Sequence, residues 1–204
     1  MFIYRQSNNL IREIPISEID SIIFSTQSDE EIGVVINGIT WATRNVDSPG
    51  TFTANPEDAG MFYQWGSNVG WSSTNPLEAS DGIHTWRNLS ETGNVWKAEK
   101  DPCPPGWRVP TKAELESLIS SGSEWKQKNG VIGRWFDNGR VFFPAAGYRY
   151  YSYGSLYDVG SGGNDWSSTP SSSSYACSTS FGSGDAYTFN YSRSNGFSVR
   201  CVSE

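Results

Sequence analysis

Asp101-Pro-Cys-Pro-Pro-Gly-Trp-Arg-Val-Pro-Thr-Lys-Ala-Glu-Leu-Glu-Ser-Leu-Ile119 is the stretch whose reading decides the fold. Four prolines between Asp101 and Pro110 hold that segment extended, because each fixes φ and disfavours helix in the residue before it. Thr111 then offers its hydroxyl as an N-cap, and Glu114, three residues on, completes a capping box. Leu115, Leu118 and Ile119 follow at helical spacing, and Gly122 ends the run in a left-handed conformation. The sequence therefore predicts a stiff arm, tethered near its start by Cys103, feeding a short helix with one apolar face.

Working outward, a chain of 204 residues is one ordinary domain with room for a small extra element. Its net charge of −7 provides no basic footprint for nucleic acid or an anionic membrane. No apolar run reaches the length that spans a bilayer. Met1 leads directly into Phe-Ile-Tyr-Arg without a signal peptide, which fits a cytosolic chain or one whose leader has been removed. Charged residues make up only 18% of the chain while aromatics reach 14%, and small polar turn residues are plentiful. That balance points to a loop-rich, mostly β, extracellular protein.

Residues 1–32 read as a separate β-rich element and linker, and 33–204 as the main domain. Phe2-Ile-Tyr runs to a polar turn at Ser7-Asn8-Asn9 and returns along Leu10–Ile14; a capped turn at Ser17–Asp20 and a third strand at Ile22–Phe24 follow. Asn37-Gly38 predicts a type I′ hairpin within 33–46. Residues 47–100 carry few periodic signals, yet Trp65, Trp71, Trp86 and Trp96 favour packing over disorder there. Ala59–Gly66 is the one candidate for a second helix. Asp137-Asn138-Gly139 predicts a hairpin between 131–136 and 140–144, and a tyrosine-dense loop covers 147–164. Tyr175–Phe181, Ala186–Tyr191 and Phe197–Val202 read as closing strands, with Phe197, Val199 and Cys201 on one face.

Six stretches, in order, resemble the Fibrobacter succinogenes major paralogous domain over residues 33–204. They are Asn37-Gly-Ile-Thr-Trp-Ala-Thr-Arg-Asn45, Phe62-Tyr-Gln-Trp-Gly66, Asp101 to Thr111, Pro144-Ala-Ala-Gly-Tyr-Arg149, Trp166-Ser-Ser-Thr169 and Gly196-Phe-Ser-Val-Arg-Cys-Val202. Ser17–Phe24 also looks like an element preceding such domains in surface proteins of Bacteroidetes-type bacteria. The resemblance implies an α+β, C-type-lectin-like fold with a small twisted antiparallel sheet, two helices and long irregular loops. That fold is related to the formylglycine-generating, sulfatase-modifying enzymes. The resemblance further implies export to the extracellular or outer-membrane surface, with a lipid anchor in the full-length form, and a role in adhesion or ligand binding.

The chemistry is sparse. Cys103 and Cys201 are the expected disulfide, one ending the arm and the other facing inward on the last strand; free thiols in a reducing compartment are the alternative. Cys177 is then a lone buried thiol. His84 is the single histidine and has no nucleophile motif beside it, so no catalytic residues, cofactor or metal are expected. Glu57-Asp58 reads as a solvated turn rather than a glycosidase pair. Asn164-Asp165-Trp166 looks like the Trp-Asn-Asp segment of calcium lectins in altered order, without the proline-containing partner motif. Asp165 and Trp166 stay as ligand-contacting candidates only. Tyr148, Tyr150, Tyr151, Tyr153 and Tyr157 are too dense on one loop for all to be core, and tyrosine supplies rigid contact area plus a hydroxyl. Tyr187, Asn190, Tyr191 and Arg193 add a polar, adaptable C-terminal surface. Together these residues predict a non-enzymatic surface domain that binds a glycan or protein. A structural module of a fimbrial assembly and a diverged sulfatase-modifying-type enzyme are the alternatives.

Overall fold

The prolines hold 101–110 extended, and α1 (Lys112–Ser120) starts where Thr111 caps it. Thr111 Oγ1 accepts from Glu114 N (3.3 Å) while the Glu114 carboxylate accepts from Thr111 N (2.7 Å). Arg108 grips the same carboxylate through both guanidinium nitrogens at 2.6 and 2.9 Å, so arm and helix start are locked together. Leu115 and Leu118 are buried, and Gly122 closes the helix at φ 85°.

The structure, a computed structural model, describes the backbone of residues 2–7 and 10–15 and the whole of 33–204. The chain divides into two compact units, Met1–Glu30 and Glu31–Glu204. In the first, β1 (Phe2–Ser7) and β2 (Leu10–Pro15) pair antiparallel, Phe2 opposite Pro15. The turn expected at Ser17–Asp20 and the strand expected at Ile22–Phe24 lie outside the described residues.

The second unit opens with the hairpin β3 (Val34–Ile36) and β4 (Ile39–Trp41), where Asn37 and Gly38 both take the positive φ of a type I′ turn. A small pair follows, β5 (Phe62–Tyr63) with β6 (Gly70–Trp71), and then the arm's own strand β7 (Trp107–Arg108). After α1 come β8 (Ser123–Lys128), β9 (Val131–Phe136) and β10 (Val141–Pro144), a three-stranded meander. The hairpin β11 (Tyr148–Arg149) and β12 (Leu156–Tyr157) precedes a second meander of β13 (Gly162–Pro170), β14 (Tyr175–Gly182) and β15 (Ala186–Ser192). The last strand, β16 (Val202–Ser203), inserts between β4 and β7 in the order β3-β4-β16-β7. The disulfide Cys103–Cys201, with Cα atoms 6.1 Å apart, fastens the arm to the chain's end. Cys177 is a buried free thiol.

The α+β expectation is overturned. The described residues are mostly β, 38% strand, and beyond the N-terminal hairpin they form five small antiparallel sheets. Among the described residues α1 is the one α-helix, joined by a 3-10 turn at Ala98–Lys100, so the lectin-like architecture with two helices is not this fold. The second helix fails at Ala59–Gly66 for a packing reason. Tyr63 and Trp65 enter one buried cluster while Phe62 enters another, an alternation that a strand satisfies and a helix does not. Gly60 adds to this, with φ 70° and a backbone so close to Val46 O that a Cβ would sit 2.2 Å from it.

Long irregular segments leave carbonyls without ladder partners, and buried donors must meet them. Arg193 and Arg200 do so from full burial. Arg193 Nη1 donates to Glu91 O and Gly93 O, both at 2.7 Å, and its guanidinium lies 4.0 Å from the Trp65 ring centroid. Arg200 donates to Ala42 O, Phe142 O and Asn45 Oδ1 at 3.2, 3.0 and 2.9 Å.

Candidate recognition surface

The tyrosine-rich loop is built on Arg149. Its guanidinium is buried and donates to Ser72 O (3.0 Å), Asn75 Oδ1 (3.0 Å), Gly154 O (2.9 Å) and Thr74 O. Desolvation lowers its pKa from the ordinary arginine value. The loop's backbone is bonded on both sides: Trp86 Nε1 donates to Tyr151 O (3.1 Å), and Tyr151 N donates to Asn195 Oδ1 (3.0 Å). Gly154 sits at φ 66° against Leu77 and Trp86, where a Cβ would lie 2.6 Å from each. The loop is thus a fixed mount.

On this mount the rings form a continuous row. Tyr151 lies 4.4 Å from Tyr150, Tyr150 5.7 Å from Tyr157, and Tyr157 stacks on Tyr148 at 5.9 Å. Tyr148 and Tyr191 both contact the buried Phe197 edge-on, at 5.7 and 5.3 Å, and Phe189 extends the row beyond Tyr191 at 5.3 Å. Tyr187, Phe189 and Tyr191 share one face of β15 by strand alternation. Tyr150, Tyr151, Tyr157, Tyr187 and Phe189 are exposed, and Tyr148 and Tyr191 half-buried. Burial, then the nearby Asp158, raises the Tyr148 phenol above its usual value, and a hydrogen bond with Tyr151 raises that of Tyr150. Both are neutral hydroxyls at physiological pH.

The other expected contact residues fall elsewhere. Tyr153 is 82% exposed and makes no ring contact with the row. Asn190 is exposed on the opposite face of β15 from Tyr191. Asp165, Trp166 and Arg193 are buried, so the expectation that they touch ligand is corrected. Trp166 packs 4.3 Å from Phe197 and donates its Nε1 to Tyr63 O; Arg193 is committed to the carbonyls described above. Burial pushes the Asp165 carboxyl up to about 6 against the opposing pull of Arg200, and its Oδ1 lacks a hydrogen-bond partner. Sequence reasoning missed Phe189, although Tyr187-x-Phe189-x-Tyr191 alternates in the sequence. It also missed Arg149 and Trp86 as the mount.

Cavities occur away from the row. One of about 520 Å³ lies along the arm between Trp96, Trp107 and Asp101. Another of about 570 Å³ is walled by Asp47, Glu57, Asp58 and small apolar residues, so Glu57 and Asp58 border a cavity rather than a plain turn. Asn129 Nδ2 donates to Glu57 and lowers its pKa. A third, about 270 Å³, adjoins Trp135 and Lys126. Among the described residues no group of His, Cys, Asp or Glu is arranged to hold a metal ion. His84 contacts Asp81 on a surface turn. No helix of the described residues is long and apolar enough to cross a membrane.

Residues 123–202 match a family described as a domain of unknown function (DUF8237). No curated protein and no solved structure matches the chain.

Proposed function

We propose that the chain is a non-enzymatic recognition domain of an exported bacterial surface protein, binding a glycan or a surface protein through the row from Tyr151 to Phe189. One observation carries this reading: the exposed rings of Tyr150, Tyr151 and Tyr157 stand on a loop whose backbone is pinned at Tyr151 and Gly154 by Trp86, Asn195 and Arg149. A preordered aromatic surface loses little entropy on binding, and phenols add hydrogen bonds to flat contact area. The row is built of tyrosine and phenylalanine without an acidic or basic side chain, and the Tyr148 and Tyr150 phenols keep their protons, which favours a neutral saccharide over a charged one. The Cys103–Cys201 bridge fits an oxidising, extracellular location.

The test is binding to a glycan array and to intact bacterial surfaces, repeated with Tyr150→Ala and Tyr157→Ala. Each variant is expected to lose about tenfold or more in affinity, the scale of one interface anchor. Binding that is unchanged by both substitutions, or absent from the wild type on every surface, would remove the proposal.

A further inference from the structure

The strand β15 closes one side of its sheet, whose order is β13-β14-β15. Just beyond its two ends, Gly182 N donates to Asp185 O (3.1 Å) and Arg193 N donates to Ser174 O (3.0 Å). Bonded and non-bonded pairs alternate along an antiparallel ladder. In the register Phe181↔Ala186 through Tyr175↔Ser192, that alternation turns the backbone groups of Tyr187, Phe189 and Tyr191 toward β14. The N–H and C=O groups of Ala186, Thr188 and Asn190 therefore point away from the sheet. No partner meets them among the described residues. The strand has no charge, no proline and no bulge, the usual guards of a free edge.

We propose that this edge pairs with β15 of a second copy, antiparallel about a two-fold axis at Thr188. In that register Ala186, Thr188 and Asn190 of one copy face Asn190, Thr188 and Ala186 of the other, and the outward N–H and C=O groups of these three residues find their complements. The side chains suit the same register. Tyr187 falls opposite Phe189 of the second copy in the close, non-bonded pair, on the aromatic face, and Thr188 opposes Thr188. On the other face Thr188 Oγ1 donates to Glu116, which Lys112 neutralises at 3.4 Å, so like charges do not meet at the axis unopposed. This self-complementarity is what singles out a second copy over a foreign strand. A two-fold axis normal to the sheet keeps both aromatic faces on one side. The two ring rows then join end to end, doubling the display surface. The pairing does not depend on what the rings bind.

Sedimentation velocity over a concentration series tests this, with wild type, Thr188→Pro and Phe189→Lys compared. Thr188→Pro deletes the central outward N–H, and an edge strand accepts proline there; Phe189→Lys keeps every backbone bond and adds a guard charge. The expected result is a wild-type mass that doubles as concentration rises, with both variants remaining single chains of unchanged far-ultraviolet circular dichroism and a cooperative thermal transition. Should Thr188→Pro unfold, Phe189→Lys decides. A wild type that stays monomeric throughout overturns the proposal and gives the edge to an extended segment of another protein. Doubling that persists in the folded variants overturns it equally.

Discussion

Arg149 carries its charge into the interior without a carboxylate among its hydrogen-bond partners, which are carbonyls, an amide and a hydroxyl. Replacing it by methionine keeps most of the volume and orphans Ser72 O and Gly154 O together, while Thr74 O keeps its bond from Ser72 Oγ (3.0 Å). Unmet buried groups cost about 1–3 kcal/mol each, softened where water enters. Arg149→Met is therefore expected to destabilise by about 3 kcal/mol and to free the amides of 150–155, read by denaturant midpoint and hydrogen exchange. An equally protected loop would show that the clamp is dispensable. Asp165 makes the opposite kind of prediction. Its folded pKa of about 6 lies above the ordinary aspartate value of 3.8, so the folded state holds the proton more tightly. The resulting stability is fully present below pH 4 and lost as pH rises through 6, an effect of about 3 kcal/mol. Asp165→Asn should flatten that part of the stability-versus-pH curve in urea unfolding, and parallel curves for the two chains would contradict it. Neither residue's role was legible in the sequence. An arginine in a tyrosine-rich loop, or an aspartate in a Gly- and Ser-rich run, reads as surface until the chain's long-range path shows what covers it.

At the scale of elements, the local signals were reliable where the chain specifies itself locally. The capping box at Thr111 and Glu114, the Asn37-Gly38 turn and the 137–139 turn all depend on residues adjacent in sequence. The strands that escaped notice depend on their neighbours instead. Ser-Glu-Trp-Lys-Gln-Lys in β8 is largely exposed, and Gly-Gly-Asn-Asp-Trp-Ser-Ser-Thr-Pro in β13 has the composition of a loop. Yet β13 is buried from Gly163 to Ser167, held in the sheet by pairing with β14 rather than by its own propensity. Phe197–Val202, expected as one strand, pairs continuously only at its end, where β16 begins. The disulfide was legible because the arm's stiffness and the inward parity of Cys201 converge on one pairing. Bridging residues 98 apart removes about 4–5 kcal/mol of unfolded-state entropy in the chain model. Cys103→Ala with Cys201→Ala should lower stability by about that amount in equilibrium denaturation. Loss of less than about 1 kcal/mol would mean that the β4-β16-β7 pairing alone secures the chain's end.

At the scale of the molecule, the start and end of the Glu31–Glu204 unit are one structure. Val202 pairs with both Trp41 and Arg108, Ala42 N donates to Cys201 O, and Arg200 reaches Asn45. Phe197 exchanges backbone bonds with Tyr63, and Trp166 sits against it in the same cluster as Trp65 and Val109. Residues 123–202, the extent of the family match, therefore cut across the core instead of around it. Excised, that segment keeps two meanders but loses both neighbours of the β16 region, the partner of Cys201 and the helix that covers β13, β14 and β15. The exposed apolar faces would have no cover, and a domain that small has little burial to spare. The isolated 123–202 peptide is expected to lack a cooperative thermal transition and dispersed amide resonances, whereas 31–204 shows both. A cooperatively folded 123–202 would mean that the meanders form a core of their own, and that the arm and first hairpin are additions to it. The aromatic row bears on the same question. Tyr148, Tyr157, Phe189 and Tyr191 lie inside that segment, but the mount supplied by Ser72, Thr74 and Trp86 does not. If a fragment does fold, it should present the rings on a loosened loop and bind more weakly than 31–204 to any ligand found for the whole unit.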